Sequence, residues 1–208
     1  MTDRERLVQA ARAYYDDALR KFGDDPRGVN WRDKEAQYLR FEILTGLGDL
    51  NGYRLHDVGC GLAHFRDFLA ATAPGCVYVG SDISAQMIAA ARARSDGSAQ
   101  LYVADILAST EPWMGADYVV NSGVFTVRGS ANPEEWWVFV QSYIRRMFDL
   151  ARVGIAFNIM TSHVDYRDDH LFYMDPGEVL GFCAKALSRK VVIRHDYPLW
   201  EYMVYVYK

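Results

Sequence analysis

The stretch His56-Asp57-Val58-Gly59-Cys60-Gly61-Leu62-Ala63 closes a short apolar run, Arg54 to Val58, and leads into a helical pattern. A strand that passes into a helix through two glycines makes a loop where the backbone turns sharply and a ligand approaches without meeting a Cβ atom. Two glycines alone leave the ligand open. The dinucleotide fingerprint G-x-G-x-x-G needs a third glycine at position 64, where this chain carries His64.

Outward from that loop, short apolar runs alternate with helical ones, the pattern of βαβ units around a mainly parallel sheet. Seven strands are predicted: Arg54 to Val58, Val77 to Ser81, Gln100 to Ala104, Ala116 to Val120, Gly154 to Asn158, Val191 to His195 and Glu201 to Tyr207. Only Asp196-Tyr197-Pro198-Leu199-Trp200 joins the last two, too short for a parallel crossover, so that pair is antiparallel. Asn132-Pro133-Glu134-Glu135 and Asp175-Pro176-Gly177-Glu178 each read as an N-cap, a proline at the first helical position and a following acid. Trp137, Val140, Ile144 and Met147 share one face of the first of these helices.

Before the sheet, residues 1–50 read as a helical extension. Leu7, Ala11, Tyr14, Ala18 and Phe22 recur at helical spacing up to the turn Gly23-Asp24-Asp25-Pro26, and a second helix from about Asp33 carries Tyr38, Phe41 and Leu44 on one face. Residues 1–208 are read as one α/β domain with a Rossmann-like, seven-stranded, mainly parallel sheet and a C-terminal antiparallel hairpin, the cofactor-binding core spanning 51–208.

Composition excludes other classes. Half of the 208 residues are hydrophobic and 24% are charged, which suits a globular chain rather than a disordered one. The net charge is -4 with no basic run, which argues against a nucleic-acid partner. The charged start lacks the apolar core of a secretory signal and no apolar stretch reaches membrane-span length, so a cytoplasmic protein without a membrane partner is expected. Cys60, Cys76 and Cys183 have no C-x-x-C spacing, so buried free thiols are expected.

Acids stand at successive strand ends. Asp82 follows the second strand about twenty residues after the loop, where a carboxylate accepts from ribose hydroxyls. Asp105 follows the third, positioned for an adenine amino group with Ile83, Met87 and Ile106 as apolar neighbours. Asp57 precedes the first glycine, where it orders the loop and a cationic ligand tail.

With these residues together, the chain resembles the class I S-adenosylmethionine-dependent methyltransferases, and a bacterial small-molecule subgroup among them. Asp57-Val58-Gly59-Cys60-Gly61-Leu62-Ala63 matches their D/E-x-G-x-G-x-G motif with Ala63 in place of the last glycine. Asp82 and Asp105 match the ribose and adenine acids, and Ala116 to Gly123 looks like the fourth-strand motif, whose end, Asn121 and Ser122 here, faces the transferred methyl group. The resemblance implies S-adenosyl-L-methionine as cofactor and covers about residues 35 to 208. Asn121-Ser122-Gly123 departs from the Asn/Asp-Pro-Pro-aromatic pattern of base methyltransferases.

Further candidates follow from position. Tyr14, Trp31 and Tyr38 form an aromatic wall for a sulfonium if the N-terminal helices fold over the cofactor. Arg40 is a candidate partner of the methionine carboxylate. After strand five, Asn158 to Tyr173 reads as a lid, with His163 or His170 as general base and Tyr166, Arg167 and Tyr173, together with Phe125, as acceptor contacts. No metal is expected, since His163, Asp165, Asp169 and His170 have no recognised ligand spacing. The expected function is methyl transfer to oxygen or nitrogen of a small molecule, by a monomer or homodimer. A nicotinamide-dependent oxidoreductase and a non-catalytic cofactor-binding protein are the alternatives.

Overall fold

Six helices and eight strands alternate along the chain among the residues that the computed structural model describes, 2–25, 28, 33–95 and 99–208. Helices α1 (Asp3–Phe22) and α2 (Lys34–Thr45) come first, followed by β1 (Arg54–Val58), α3 (His64–Thr72), β2 (Val77–Asp82), α4 (Ala85–Arg94) and β3 (Gln100–Val103). Then come β4 (Ala116–Asn121), α5 (Pro133–Leu150), β5 (Ala151–Thr161), β6 (Tyr173–Met174), α6 (Pro176–Ala186), β7 (Val191–Arg194) and β8 (Glu201–Tyr207). Side-chain caps start all the helices but α3: Thr2 and Glu5 make a reciprocal capping box on α1, and Asp33, Ser84, Asn132 and Asp175 each accept an amide of the first turn of α2, α4, α5 and α6.

The sheet runs in the order β3-β2-β1-β4-β5-β8-β7, with the two-residue β6 attached in parallel to the end of β5. Strand β8 lies antiparallel to both β5 and β7, which makes it the one reversed strand of the main path. The antiparallel pair inferred from linker length is present, and its second strand is the inner one. Strand β5 extends three residues beyond the predicted run at each end, and β6 was not foreseen because two residues carry no periodicity.

Period-two alternation sorts the sheet's side chains into two cores. Val119, Ile155 and Val204 face Val140, Ile144 and Met147 of α5, whereas Val120, Ala156 and Met203 face Phe41 and Leu44 of α2 and Leu69 of α3. On α5, Trp136, Phe139 and Tyr143 are buried alongside the expected Val140, Ile144 and Met147, and Trp137 stacks on Phe172 at the core's margin. Tyr38 departs from its expected face and is 51% exposed, in ring contact with Phe41 and Phe68. No helix among the described residues is long and apolar enough to cross a membrane.

Helix α2 is fastened to the sheet by polar contacts. Tyr205 and Tyr207 donate their hydroxyls to the carbonyls of Ile43 and Leu47. Arg40 donates through Nε and Nη2 to Glu201 Oε2, at 3.0 and 2.9 Å, and the two side chains are only 12% and 4% exposed. Removing one member of a buried pair strands the other charge. Arg40→Ala is therefore expected to cost about 3 to 5 kcal/mol in urea denaturation, with most of the loss recovered when Glu201→Met is added.

Candidate active site

The chain passes from β1 outward to β2 and β3, then returns to β4 on the other flank of β1. The crevice at this reversal is where open α/β sheets bind ligands. Gly59 and Gly61 adopt φ of 75° and 52°, in the region that disfavours side chains. A Cβ on Gly59 would lie 2.2 Å from Val124 Cγ2, so the loops after β1 and β4 meet only because this residue has no side chain. The amides of Gly59 and Cys60 donate to the Ser81 carbonyl, and the Gly61 amide donates to Asp82 Oδ2 at 3.0 Å. Ala63 takes the left-handed conformation, φ 58° and ψ 31°, at the motif position where the family has glycine. That conformation costs an L-residue about 1 to 2 kcal/mol.

A cavity of about 1110 Å³, counting its open mouth, lies above this loop. Asp57, Asp82 and Asp105 reach it from the ends of β1, β2 and β3. Asp57 accepts the Tyr78 hydroxyl at 2.7 Å, yet burial, together with the nearby Asp82, pushes its carboxyl up to about 7. Asp82 keeps part of its surface open to the cavity but sits deep in the protein, and burial raises it to about 6 against the opposing amide hydrogen bonds of Ser84 and Gly61. The Ser84 amide donates to Asp82 Oδ1 at 2.8 Å, so both carboxylate oxygens are oriented by backbone. His56, beneath the loop, is held neutral: burial lowers it to about 4, with Nδ1 donating to the Met114 carbonyl and Nε2 accepting from Ser81 Oγ.

Helix α1 crosses the top of the cavity. Val8, Ala11 and Tyr15 line it, and the Tyr15 hydroxyl donates to the Gly123 carbonyl at 3.3 Å. Arg6 pairs with Glu135 on α5, the Ser84 hydroxyl donates to Asp16, and Asp24 accepts from His64 Nε2 at 2.9 Å and from Arg94 Nε at 2.8 Å.

Of the sequence candidates, Asp57, Gly59, Cys60, Gly61, Asp82, Ile83, Met87, Asp105 and Ser122 line this one cavity. Ile106, Asn121 and Phe125 are fully buried behind its wall, and the Phe125 carbonyl accepts the Trp136 indole N–H at 3.0 Å. Tyr14 does not line the cavity; its ring packs edge-on against Tyr15, which does, because α1 borders the cavity with 8, 11 and 15 while Leu7 is buried in the core beside it. Arg40 is committed to Glu201. Trp31 lies outside the described residues.

The segment after β5 departs from the expected lid. Leu171 bridges Val127, the Phe172 amide donates to the Thr126 carbonyl, and the Arg128 amide donates to the His170 carbonyl, so it is pinned to the loop after β4. His163 is 67% exposed beside Asp175, and His170 is exposed as well; neither lines the cavity. Tyr166 and Tyr173 line a separate hollow with Trp200, and the Arg167 guanidinium lies over the Tyr173 ring.

Gln37, His64, Thr126, Trp136, Phe139 and Tyr143 line the main cavity and were missed. His64 was legible only as the glycine that is absent; in the fold Gln37 Nε2 donates to its Nδ1 at 3.2 Å and Asp24 accepts from its Nε2. The aromatic residues belong to the buried face of α5, and periodicity identifies such a face without saying that one end of it borders a cavity.

The methyltransferase domain family matches residues 56–146, the region from the loop to α5. Rv1506c of Mycobacterium tuberculosis, a protein named as a methyltransferase, is 34% identical over 159 residues, which cover 75% of this chain and 93% of that protein. The chain belongs to the class I S-adenosylmethionine-dependent methyltransferases. Solved methyltransferases share the fold at low identity. Magnesium protoporphyrin IX methyltransferase from Synechocystis PCC 6803, with S-adenosylmethionine bound, superimposes with a TM-score of 0.68 at 15% identity over 100% of this chain and 98% of that one. N-methyltransferase NodS from Bradyrhizobium japonicum WM9, with S-adenosyl-L-homocysteine bound, gives 0.67 at 16% identity over 95% and 97%.

Two outcomes follow for this methyltransferase. Ala63→Gly relieves the left-handed strain and is expected to raise stability by about 0.5 to 1 kcal/mol in urea denaturation, the larger loss of unfolded-chain freedom at glycine taking back part of the gain. Asp57 holds its proton to a higher pH in the folded state than in the unfolded chain, so its contribution to stability falls as pH rises from about 4 to about 7. His56 acts in the opposite sense, losing stability as pH falls from its ordinary value through about 4. Because His56 is common to both proteins, the difference between Asp57→Asn and the parent isolates Asp57. The variant is expected to gain on the order of 2 to 4 kcal/mol relative to the parent between pH 4 and pH 8 in ligand-free thermal unfolding.

Proposed function

We propose that the cavity binds S-adenosylmethionine and that the enzyme methylates oxygen or nitrogen of a small molecule. The observation that carries this reading is the burial of Asp57 and Asp82 on the cavity wall, both raised above the carboxylate range, beside a glycine loop that a Cβ would close. Buried carboxylates are relieved by a cationic, hydroxyl-bearing ligand. When bound, the cofactor supplies a methyl group on a positively charged sulfur.

The chain's own residues hold and orient it. Asp82 is assigned to the ribose hydroxyls, Asp105 to the adenine amine with Ile83 and Met87 beside the ring, and Asp57 with the Gly59–Gly61 backbone to the amino-acid tail. Gln37 stands on the cavity wall near the same loop, oriented by its bond to His64 Nδ1, and its second amide N–H is assigned to the tail's carboxylate. Helix α1 covers the mouth, excluding water from the reacting atoms. The acceptor is aligned against the end of β4, and no proton-transfer role is given to His163 or His170, which lie off the cavity. Rate enhancement then rests on alignment and desolvation of the nucleophile.

Calorimetric titration with S-adenosylhomocysteine tests the cofactor assignment. The parent protein is expected to bind, and Asp82→Ala, with native circular dichroism, to bind about a hundredfold more weakly or worse, the equivalent of two charge-assisted hydrogen bonds. An unchanged affinity in the folded variant removes Asp82 from the site. NAD binding in place of S-adenosylhomocysteine overturns the cofactor assignment.

A further inference from the structure

The part of the cavity beyond the end of β4 differs from the part above the glycine loop. Thr126 lines it from the loop after β4, Trp136 and Phe139 from α5, and Val8 and Ala11 from α1. The Trp136 and Phe139 rings lie 5.0 Å apart at 34°, and the only polar atom of Trp136 is spent on the Phe125 carbonyl. This wall offers carbon and ring faces, which favour a flat apolar guest.

Two polar atoms interrupt it. Ser122 Oγ and Thr126 Oγ1 are buried on the cavity wall without a hydrogen-bond partner. Buried hydroxyls are ordinarily satisfied, and a pair left open on a cavity wall marks where a ligand heteroatom completes them.

Charge decides the remaining question. The ionisable lining carries Asp57, Asp82 and Asp105, and among the described lining residues there is no lysine or arginine. Of the cations on neighbouring elements, Arg6 is paired with Glu135, Arg128 donates to the carbonyls of Leu171 and Ala131, and Arg12 on α1 is exposed to solvent. A carboxylate, sulfonate or phosphate on the guest would be buried near Asp57, Asp82 and Asp105, with no lysine or arginine among the described lining residues to pair with it.

We infer that the methyl acceptor is an uncharged, flat, mainly apolar ring system with one hydrogen-bonding heteroatom, which the Ser122 and Thr126 hydroxyls receive at the end of β4. This inference rests on the cofactor reading above, since it assigns to the acceptor the space that the cofactor leaves.

A matched pair of fluorescent probes tests it. N-phenyl-1-naphthylamine is an uncharged ring amine, and 8-anilinonaphthalene-1-sulfonate is the same skeleton with an added anion. With saturating S-adenosylhomocysteine, the amine is expected to bind at least about tenfold more tightly than the sulfonate, an unpaired buried anion costing more than that factor requires. Ala11→Trp fills the chamber and is expected to abolish binding of the amine while S-adenosylhomocysteine still binds, which also reports that the variant is folded. Thr126→Val keeps the shape, removes the hydroxyl, and is expected to weaken the amine about 2- to 10-fold.

Equal or tighter binding of the sulfonate overturns the inference, as does undiminished binding of the amine to Ala11→Trp. Displacement of the amine by S-adenosylhomocysteine overturns it too, because the chamber then belongs to the cofactor. If S-adenosylhomocysteine fails to bind, the cofactor reading is what fails. The ratio of the two probes on the protein alone, with Thr126→Val as the second variant, then still decides the character of the chamber.

Discussion

Placing carboxylates in the interior is the constraint around which this molecule is arranged. Asp57 and Asp82 stand at adjacent strand ends, where Asp82 adds to the cost of ionising Asp57, and the protein answers with oriented dipoles: the Tyr78 hydroxyl on one, the Gly61 and Ser84 amides on the other. The Gly61 amide is available only because the glycine loop folds back over β2, with Gly59 and Cys60 tied to the Ser81 carbonyl. The loop in turn can lie there only because Gly59 has no side chain to strike Val124. Charge burial, loop shape and the contact between the loops after β1 and β4 are thus one device.

The cover over that device is built differently from the sheet. Helix α1 contributes one buried side chain, Leu7, with Val8 packed beside it, and polar contacts along the helix and the turn after it add to these: Arg4 and Arg6 toward the Leu107 carbonyl and Glu135, Asp16 and Asp24 toward Ser84, His64 and Arg94. Partly exposed contacts of this kind contribute little each. An element with few buried apolar contacts belongs to the part of a structure that opens locally at low free energy, which is what access to an otherwise covered cavity requires.

The sheet was legible because its signals are local and redundant. Strand alternation, the caps at Asn132 and Asp175, and the short link before β8 each lie within a few residues, and they agree with one another. The acids at 57, 82 and 105 were legible because parallel strands end at one edge, so spacing along the chain becomes neighbourhood in space. Tyr15 and Trp136 were not, since their places depend on how α1 and α5 are rotated about their axes, and Thr126 was not, since it stands on the irregular loop after β4. His163 and His170 show the converse. Their chemistry suited a base, but hydrogen bonds between the loops after β4 and β5 hold their segment away from the cavity, and no local pattern encodes such long-range pairing.

The position of β8 has a consequence for how the chain is made. This strand fills the gap between β5 and β7, and it carries Glu201, the partner of Arg40. While the chain is being synthesised from its N-terminus, the parallel half of the sheet and its glycine loop emerge well before residues 201–207. Until those residues arrive, β5 presents an unpaired hydrophobic edge, a template for pairing with another nascent chain. The interior of the fold is closed by one of its latest strands, so the vulnerable period on the ribosome extends nearly to the end of translation of this region.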